Sequence, residues 1–322
     1  MKLYVLKRLL LVIPIMIGVS LFLFFLLSLT PGDPAMIALG SGATEEQLEM
    51  FREQTGLNDP LAIQYIKYIG NAIKGDLGKS YTTRQPVSTM IAVRAPTTLA
   101  LSGAAMAFTI IVALFLGIAM AVKQNSVFDN TMRILTVILT SMPQFWLAMM
   151  LLLLFSVKLG WLPSGGLDNF SSTILPIICL ASGGITMCAR TGRASMLEVI
   201  NMDYIRTARA KGLSNEYIIR RHALKNALLP MVSVYGRIIS QIFGGSVVLE
   251  NIFGINGLGQ MMTNALRQKD APAILGSVII SAGVVTIVNL ITDLCYAFID
   301  PRIKSMYTRR SRKTEAIVTD GN

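Results

Sequence analysis

Gly78-Lys79-Ser80 has the ending of a phosphate-binding loop, in which backbone amides cradle a phosphate and a lysine meets its charge. That motif needs a glycine five positions before its second glycine. Position 73 is Ile, so the chain is not expected to hold a nucleotide. His222 is the only histidine in the sequence. It has no cysteine or carboxylate at ligand spacing, so it reads as a loop histidine on a polar helix rather than a metal ligand or a catalytic base. Cys179, Cys188 and Cys295 all lie inside apolar runs. Cys179 and Cys188 share one expected helix, about 13 Å apart along its axis, too far for a disulfide. The 18 methionines read as packing residues rather than a metal path. Neither His-Glu-x-x-His nor Gly-x-Ser-x-Gly occurs, so the chain is expected to have no catalytic residues, metal or cofactor of its own.

Two charges interrupt apolar stretches, Arg237 and Asp293. Both lie about 10 Å from the same side of the membrane if their helices start near Pro230 and end near Asp300. A lone charge costs up to about 3 kcal/mol at a helix centre by insertion scales. Matched depth and opposite sign fit an ion pair; the other reading has Arg237 reaching to the interface and Asp293 facing a wet cavity.

Asp203-Tyr-Ile-Arg-Thr-Ala-Arg-Ala-Lys-Gly212 is a third candidate. Asp203 is expected to cap a short helix and Gly212 to end it. Small Thr207, Ala208 and Ala210 would let that helix settle into a partner's groove, and Arg206, Arg209 and Lys211 suit an acidic rim. A second helix is expected to run to Leu229 and stop at Pro230.

The elements that carry these residues follow from composition. Of 322 residues 53% are hydrophobic and 15% charged, with a mean hydropathy of +0.58 and a net charge of +11. An ordinary soluble domain is about 25% charged. Six apolar runs, 9–29, 99–122, 134–157, 174–189, 228–249 and 275–299, are each long enough to cross about 30 Å of hydrocarbon, the fourth only just. The first is too long for a signal-peptide core and no clean cleavage site follows, so it is expected to be a retained span. Lys and Arg crowd the N-terminus, the 123–133 loop, the 190–226 loop and the tail after Arg302. The positive-inside rule then puts both termini in the cytoplasm. The basic excess sits beside apolar runs, which argues for membrane lipid and against nucleic acid.

Four regions are expected: the N-terminus and first span (1–30), an external helical insert (31–98), a five-span core (99–302) with a loop at about 190–229, and a polar tail (303–322). Within the insert, Thr44-x-x-Gln47 predicts a capping box and Gly56 a helix end. Asp59-Pro60 predicts an N-cap with proline at the first helical position, and Leu61, Tyr65, Ile69 and Ile73 the helix that follows, ended by Gly75. Gly183-Gly184, Gly244-Gly245 and Ser240-x-x-x-Gly244 suit close helix approach or a hinge.

Taken in order, Pro31-Gly-Asp-Pro34, Gly56-Leu-Asn-Asp-Pro60, Gln64-Tyr65, Gly75-Asp-Leu-Gly78, Pro96-Thr-Thr-Leu99, Asp203–Gly212, His222–Pro230, Glu250-Asn-Ile-Phe253, Gly257-Leu-Gly259 and Asp300-Pro-Arg302 are similar to motifs of one family. From Met1 to about Arg302 the chain resembles the membrane subunits of binding-protein-dependent ABC importers, in the dipeptide, oligopeptide and nickel branch. The general importer loop carries Glu-Ala-Ala six residues before its glycine; here Arg206-Thr207-Ala208 stands in that place. The resemblance implies an all-α permease of six transmembrane helices, passing di- or oligopeptides inward on ATP bound elsewhere. It implies a second homologous permease, two ATPase subunits and an extracytoplasmic binding protein. It also implies that Tyr204, Arg206, Thr207, Ala208, Lys211 and Gly212 couple to the ATPase. Import of nickel or a metallophore is the nearest alternative. An ion-coupled secondary transporter needs more ionisable groups in its spans, and an intramembrane enzyme lacks its motifs.

Overall fold

The computed structural model describes residues 2–299. Leu9–Ser28, with a mean hydropathy of 2.9, makes up most of α1 (Lys2–Ser28). Three short helices follow: α2 (Pro34–Leu39), α3 (Glu45–Thr55) and α4 (Leu61–Ile73). The long α5 (Val87–Val122) leads to α6 (Val127–Ser141) and α7 (Gln144–Leu151), which continues in π-helical turns to Lys158. Then come α8 (Phe170–Ile200), α9 (Asp203–Ala210) and α10 (Asn215–Tyr217). Further π-helical turns, Ile218–Ala223, feed into α11 (Leu224–Ile252), followed by α12 (Leu258–Arg267) and α13 (Ala271–Ile299). Among the described residues there is no strand, only an isolated bridge between Lys79 and Pro86.

Among the described residues, five helices are long and apolar enough to cross a membrane, and six spans result if α6 and α7 form one broken span. That break corrects the expectation of a single run over 134–157: the two helices meet at 106°. Met142 precedes Pro143, whose ring drives the residue before it out of the helical region, and Met142 is extended at φ −83°, ψ 128°. Pro230 does the opposite of what was expected and lies inside α11. It forfeits one ladder bond, but ending the helix there would strand several backbone groups in a medium that cannot solvate them. Likewise α5 begins at Val87, not Leu99, and contains Pro96. α8 continues past Ala189 to Ile200.

The core is the seam between α5, α8 and α11. Leu101, Ala105 and Ala113 pack with Cys179, Leu180 and Cys188 and with Met231, Ile238 and Ile242. Small residues let the backbones close. A Cβ on Gly184 would lie 2.8 Å from both Thr109 and Ile238, and one on Gly245 2.6 Å from Gln144. Gly183 and Gly244 have open space, so one member of each glycine pair packs and the other does not.

The insert folds much as its caps dictate. Thr44 and Gln47 form the capping box at α3, and Gly56 ends that helix at φ +71°. One detail differs: Pro60, not Asp59, is the cap of α4, and Asp59 spends its carboxylate on Lys67 at 2.6 Å.

Candidate functional site

The 203–212 segment folds as α9, an eight-residue helix beneath the ends of α5, α8 and α11. Its cap differs from the expected one. Met202 is the N-cap residue and Asp203 the first helical residue, its carboxylate exposed and 3.7 Å from Arg206. Gly212 ends the helix at φ +79°, a left-handed conformation that strains any residue with a Cβ. There its N–H donates to Arg209 O and the Leu213 N–H reaches Ala208 O.

Two side chains seat α9. Ile205 and Ala208 are buried with Ala121 of α5, Met196 and Val199 of α8, and Ala223 and Ala227 at the start of α11. The small side chain of Ala208 packs inward among these residues. Tyr204 adds a lateral tie: its hydroxyl accepts from Asn226 Nδ2 at 2.8 Å and donates to the His222 carbonyl at 3.5 Å. His222 keeps its ring against Tyr217, centroids 5.7 Å apart. Arg206, Thr207, Arg209, Lys211 and Gly212 remain exposed, with Met202, Leu213 and Tyr217 as apolar points among them. This surface is basic with an apolar centre, suited to a groove with an acidic rim. It can do no bond-making chemistry.

At the other end of the helices, motifs scattered through the sequence meet. Thr98 Oγ1 of α5 donates to Glu250 Oε1 of α11 at 2.6 Å and accepts from the Leu258 N–H at 2.8 Å. Glu250 Oε2 accepts from the Gln260 N–H at 3.0 Å. A buried carboxylate and a buried hydroxyl thus satisfy two of the orphan amides that open α12. Gly257 and Gly259 permit the approach, since a Cβ on either would come within 3 Å of that carboxylate.

The loop that resembles a phosphate site is occupied from within. Asp270 Oδ2 accepts from Ser80 Oγ at 2.5 Å, and its two oxygens accept from the Tyr81 and Thr82 N–H groups. Burial, with the Asp270 charge, pushes the Tyr81 phenol up to about 12. Asp33 of the first external motif caps α2 through the Ala35 N–H and bonds Arg52 of α3 at 2.5 Å. The Arg52 guanidinium holds the Asp33 carboxyl below its ordinary 3.8. These motifs hold helices in place.

Arg237 is exposed on α11, while the side chain of Asp293 and the tail from Asp300 lie outside the described residues, so the proposed ion pair does too. A different pair is present. Arg193 of α8 grips Asp129 of α6 through Nε and a terminal nitrogen, both at 2.7 Å. Asp129 is fully buried, and the Asn125 N–H also donates to it. The two lie 64 positions apart in the sequence, one in each of two stretches expected to be basic loops, 123–133 and 190–226. The one signal was Ser126 three residues before an acid, the spacing of a helix start.

A family model described as binding-protein-dependent transport system inner membrane component matches residues 113–305, and one for the N-terminal part of such membrane components matches residues 1–102. A putative peptide transport system permease protein of Brucella abortus is 40% identical over 308 residues, covering 93% of this chain and 98% of its own length. The oligopeptide transport system permease protein AppB of Bacillus subtilis is 36% identical over 94% of this chain and 100% of its own. The glutathione transport system permease protein GsiC of Escherichia coli is 38% identical over 94% and 98%. In fold, a chain of the inward-facing MetNI methionine ABC transporter matches with a TM-score of 0.53 at 20% identity, covering 66% of this chain and 96% of that one. With both family models matched in succession along a multi-pass helical chain, this protein belongs to the inner-membrane permease components of binding-protein-dependent transport systems.

Proposed function

We propose that this chain forms half of the translocation path for di- or oligopeptides in an ATP-driven importer of a prokaryotic plasma membrane. The observation that carries the reading is α9, an amphipathic helix whose inner face joins the ends of three spans and whose outer face is basic and exposed. Tyr204, Arg206, Thr207, Lys211 and Gly212 form the surface on which an ATPase subunit docks. Ala208 acts from inside, by seating the helix. ATPase closure displaces α9, and the bonds from Tyr204 to Asn226 and His222 pass that displacement to α11. The names of the relatives support peptide cargo.

In the assembly a second homologous permease completes the path, two ATPase subunits bind ATP and Mg, and an extracytoplasmic binding protein delivers solute to the side of the 31–98 insert. Both termini are cytoplasmic, a reading that the Lys and Arg distribution supports. Uptake by the reconstituted complex, with dipeptides, longer peptides and nickel chelates compared, tests the cargo. Peptide uptake that follows ATP and ignores an ion gradient is the expected result. Uptake of nickel chelates alone would sink it.

A further inference from the structure

α4 is the one helix of the insert that reaches down beside a span. The Tyr65 hydroxyl lies 2.9 Å from Ser20 Oγ and donates to the Ile17 carbonyl at 3.3 Å. Phe24 packs on both Tyr65 and Tyr68, with ring centroids at 5.5 and 6.4 Å. Ser20 is two turns inside the outer end of the apolar segment Leu9–Ser28, about 12 Å at 1.5 Å per residue. Ile17 lies deeper still. A helix bonded at that depth lies below the outer boundary of the hydrocarbon.

The two flanks of α4 differ in chemistry. At about 100° per residue, Ala62, Ile66, Ile69 and Ile73 share one flank and Gln64 and Asn71 the opposite one, with Tyr65 and Ala72 between them on the side that packs. The polar flank lines a cleft of about 660 Å³, which Ser28, Ala271 and the 53–59 turn also line, at the outer ends of α1 and α13. Lys67 also lines this cleft, with its ammonium on Asp59. The apolar flank is bare: Ile66 is 69% and Ile73 82% exposed. The surface of α1 beside it is equally apolar and bare, with Leu21, Phe22 and Phe25 exposed. On a span, such residues face lipid.

We propose that α4 is a membrane-inserted helix that lies against α1 within the outer leaflet, with Ile66 and Ile73 among the acyl chains and Gln64 and Asn71 toward the cleft. Opposed apolar and polar flanks suit a helix that has lipid on one side and a wet cleft on the other. The occupant is the leaflet because the apolar flank continues the lipid-facing surface of α1 at a depth where water is excluded. α4 thereby fixes the height of the insert over the mouth of the path, and Tyr65 fixes it to α1. The choice of leaflet rests on the orientation proposed above; the insertion does not.

The test uses the full importer in lipid nanodiscs, with a nitroxide attached at Ile66→Cys, Ile73→Cys, Gln64→Cys or Asn71→Cys and the unsubstituted protein labelled in parallel. Collision with oxygen, which concentrates among acyl chains, is compared with collision with a water-soluble nickel chelate. The expected result is oxygen contact without chelate contact at positions 66 and 73, and the inverse ratio at 64 and 71. Chelate reaching all four positions alike would place α4 in water and overturn the proposal. Neither reagent reaching 66 and 73 would mean a protein covers the flank, which also overturns it. If only the orientation were wrong, the collision pattern would persist, but an impermeant thiol reagent would label Asn71→Cys from the other side of the membrane.

Discussion

Thr98 and Glu250, on different helices and more than 150 positions apart in sequence, share a hydrogen bond of 2.6 Å that no solvent reaches. Thr98 also accepts the first free amide of α12, so one hydroxyl joins three helices. Thr98→Val keeps the volume and removes both bonds. A buried carboxylate oxygen and a buried N–H would then lack partners, which costs about 1–3 kcal/mol. The thermal midpoint of the purified complex should fall, and Thr98→Ser should restore most of it. An unchanged midpoint in Thr98→Val would show that water or another donor takes the place of the hydroxyl.

How much of this was legible in the sequence differs by element. The spans were, because an apolar run long enough to cross a membrane has few other readings. The box at Thr44 and Gln47 was, because capping is local. Breaks inside the runs were not: Pro143 ends a helix and Pro230 does not, and the difference lies in surroundings that no window of sequence contains. Thr98 and Glu250 were each marked by a motif, yet nothing in either motif named the other. Ala208 was marked by its size, which suits burial against a partner and burial against one's own chain equally.

The 31–98 insert is expected to loosen in acid, and Arg52 sets where. Its guanidinium, with the Ala35 N–H, lowers the Asp33 carboxyl below 3.8, and with Asn58 it lowers Glu49 below 4.5. A lowered carboxylate contributes stability that is present above its ordinary value and is lost as pH falls through the lowered one. Wild-type α2 and α3 should therefore keep amide protection to below about pH 4. In Arg52→Met the carboxyls return toward their ordinary values and the loss should begin at higher pH. Hydrogen exchange across 33–56 in the pH 3–6 range reads this directly. Coincident profiles would assign the stability of the insert to its apolar contacts instead.

Asp129 and Arg193 make the buried ion pair that holds α6 to α8. Removing one partner leaves a charge where water does not reach, which costs about 3–5 kcal/mol. Arg193→Met should lower the yield of folded complex sharply. Asp129→Asn with Arg193→Met, which leaves no bare charge, should recover much of it. Arg133 is the nearest other cation, its Nε 4.0 Å from Asp129 Oδ1, and its greater exposure makes it a poor substitute. A double variant no better than Arg193→Met would mean that the two bonds, rather than the lone charge, set the cost.

Around α9 the inner and outer faces should respond differently to substitution. Ala208→Trp forces an indole into a cluster that already holds Ile205, Met196 and Val199. Such overpacking costs about 1–3 kcal/mol, and the thermal midpoint should fall along with transport. Gly212→Ala requires a Cβ at φ +79° and should cost about 1 kcal/mol, again read as stability. Lys211→Glu with Arg206→Glu changes only exposed charge, so the midpoint should stay within about 0.5 kcal/mol of wild type. The reversed pair should instead weaken attachment of the ATPase subunits, with the effect growing at low salt, where exposed charges are least screened. Transport per ATP hydrolysed, measured with subunit retention on a sizing column, separates the cases. If the reversed pair retains its ATPase and transports normally while Ala208→Trp fails, α9 serves the fold of the permease, and the docking surface lies elsewhere on the cytoplasmic side.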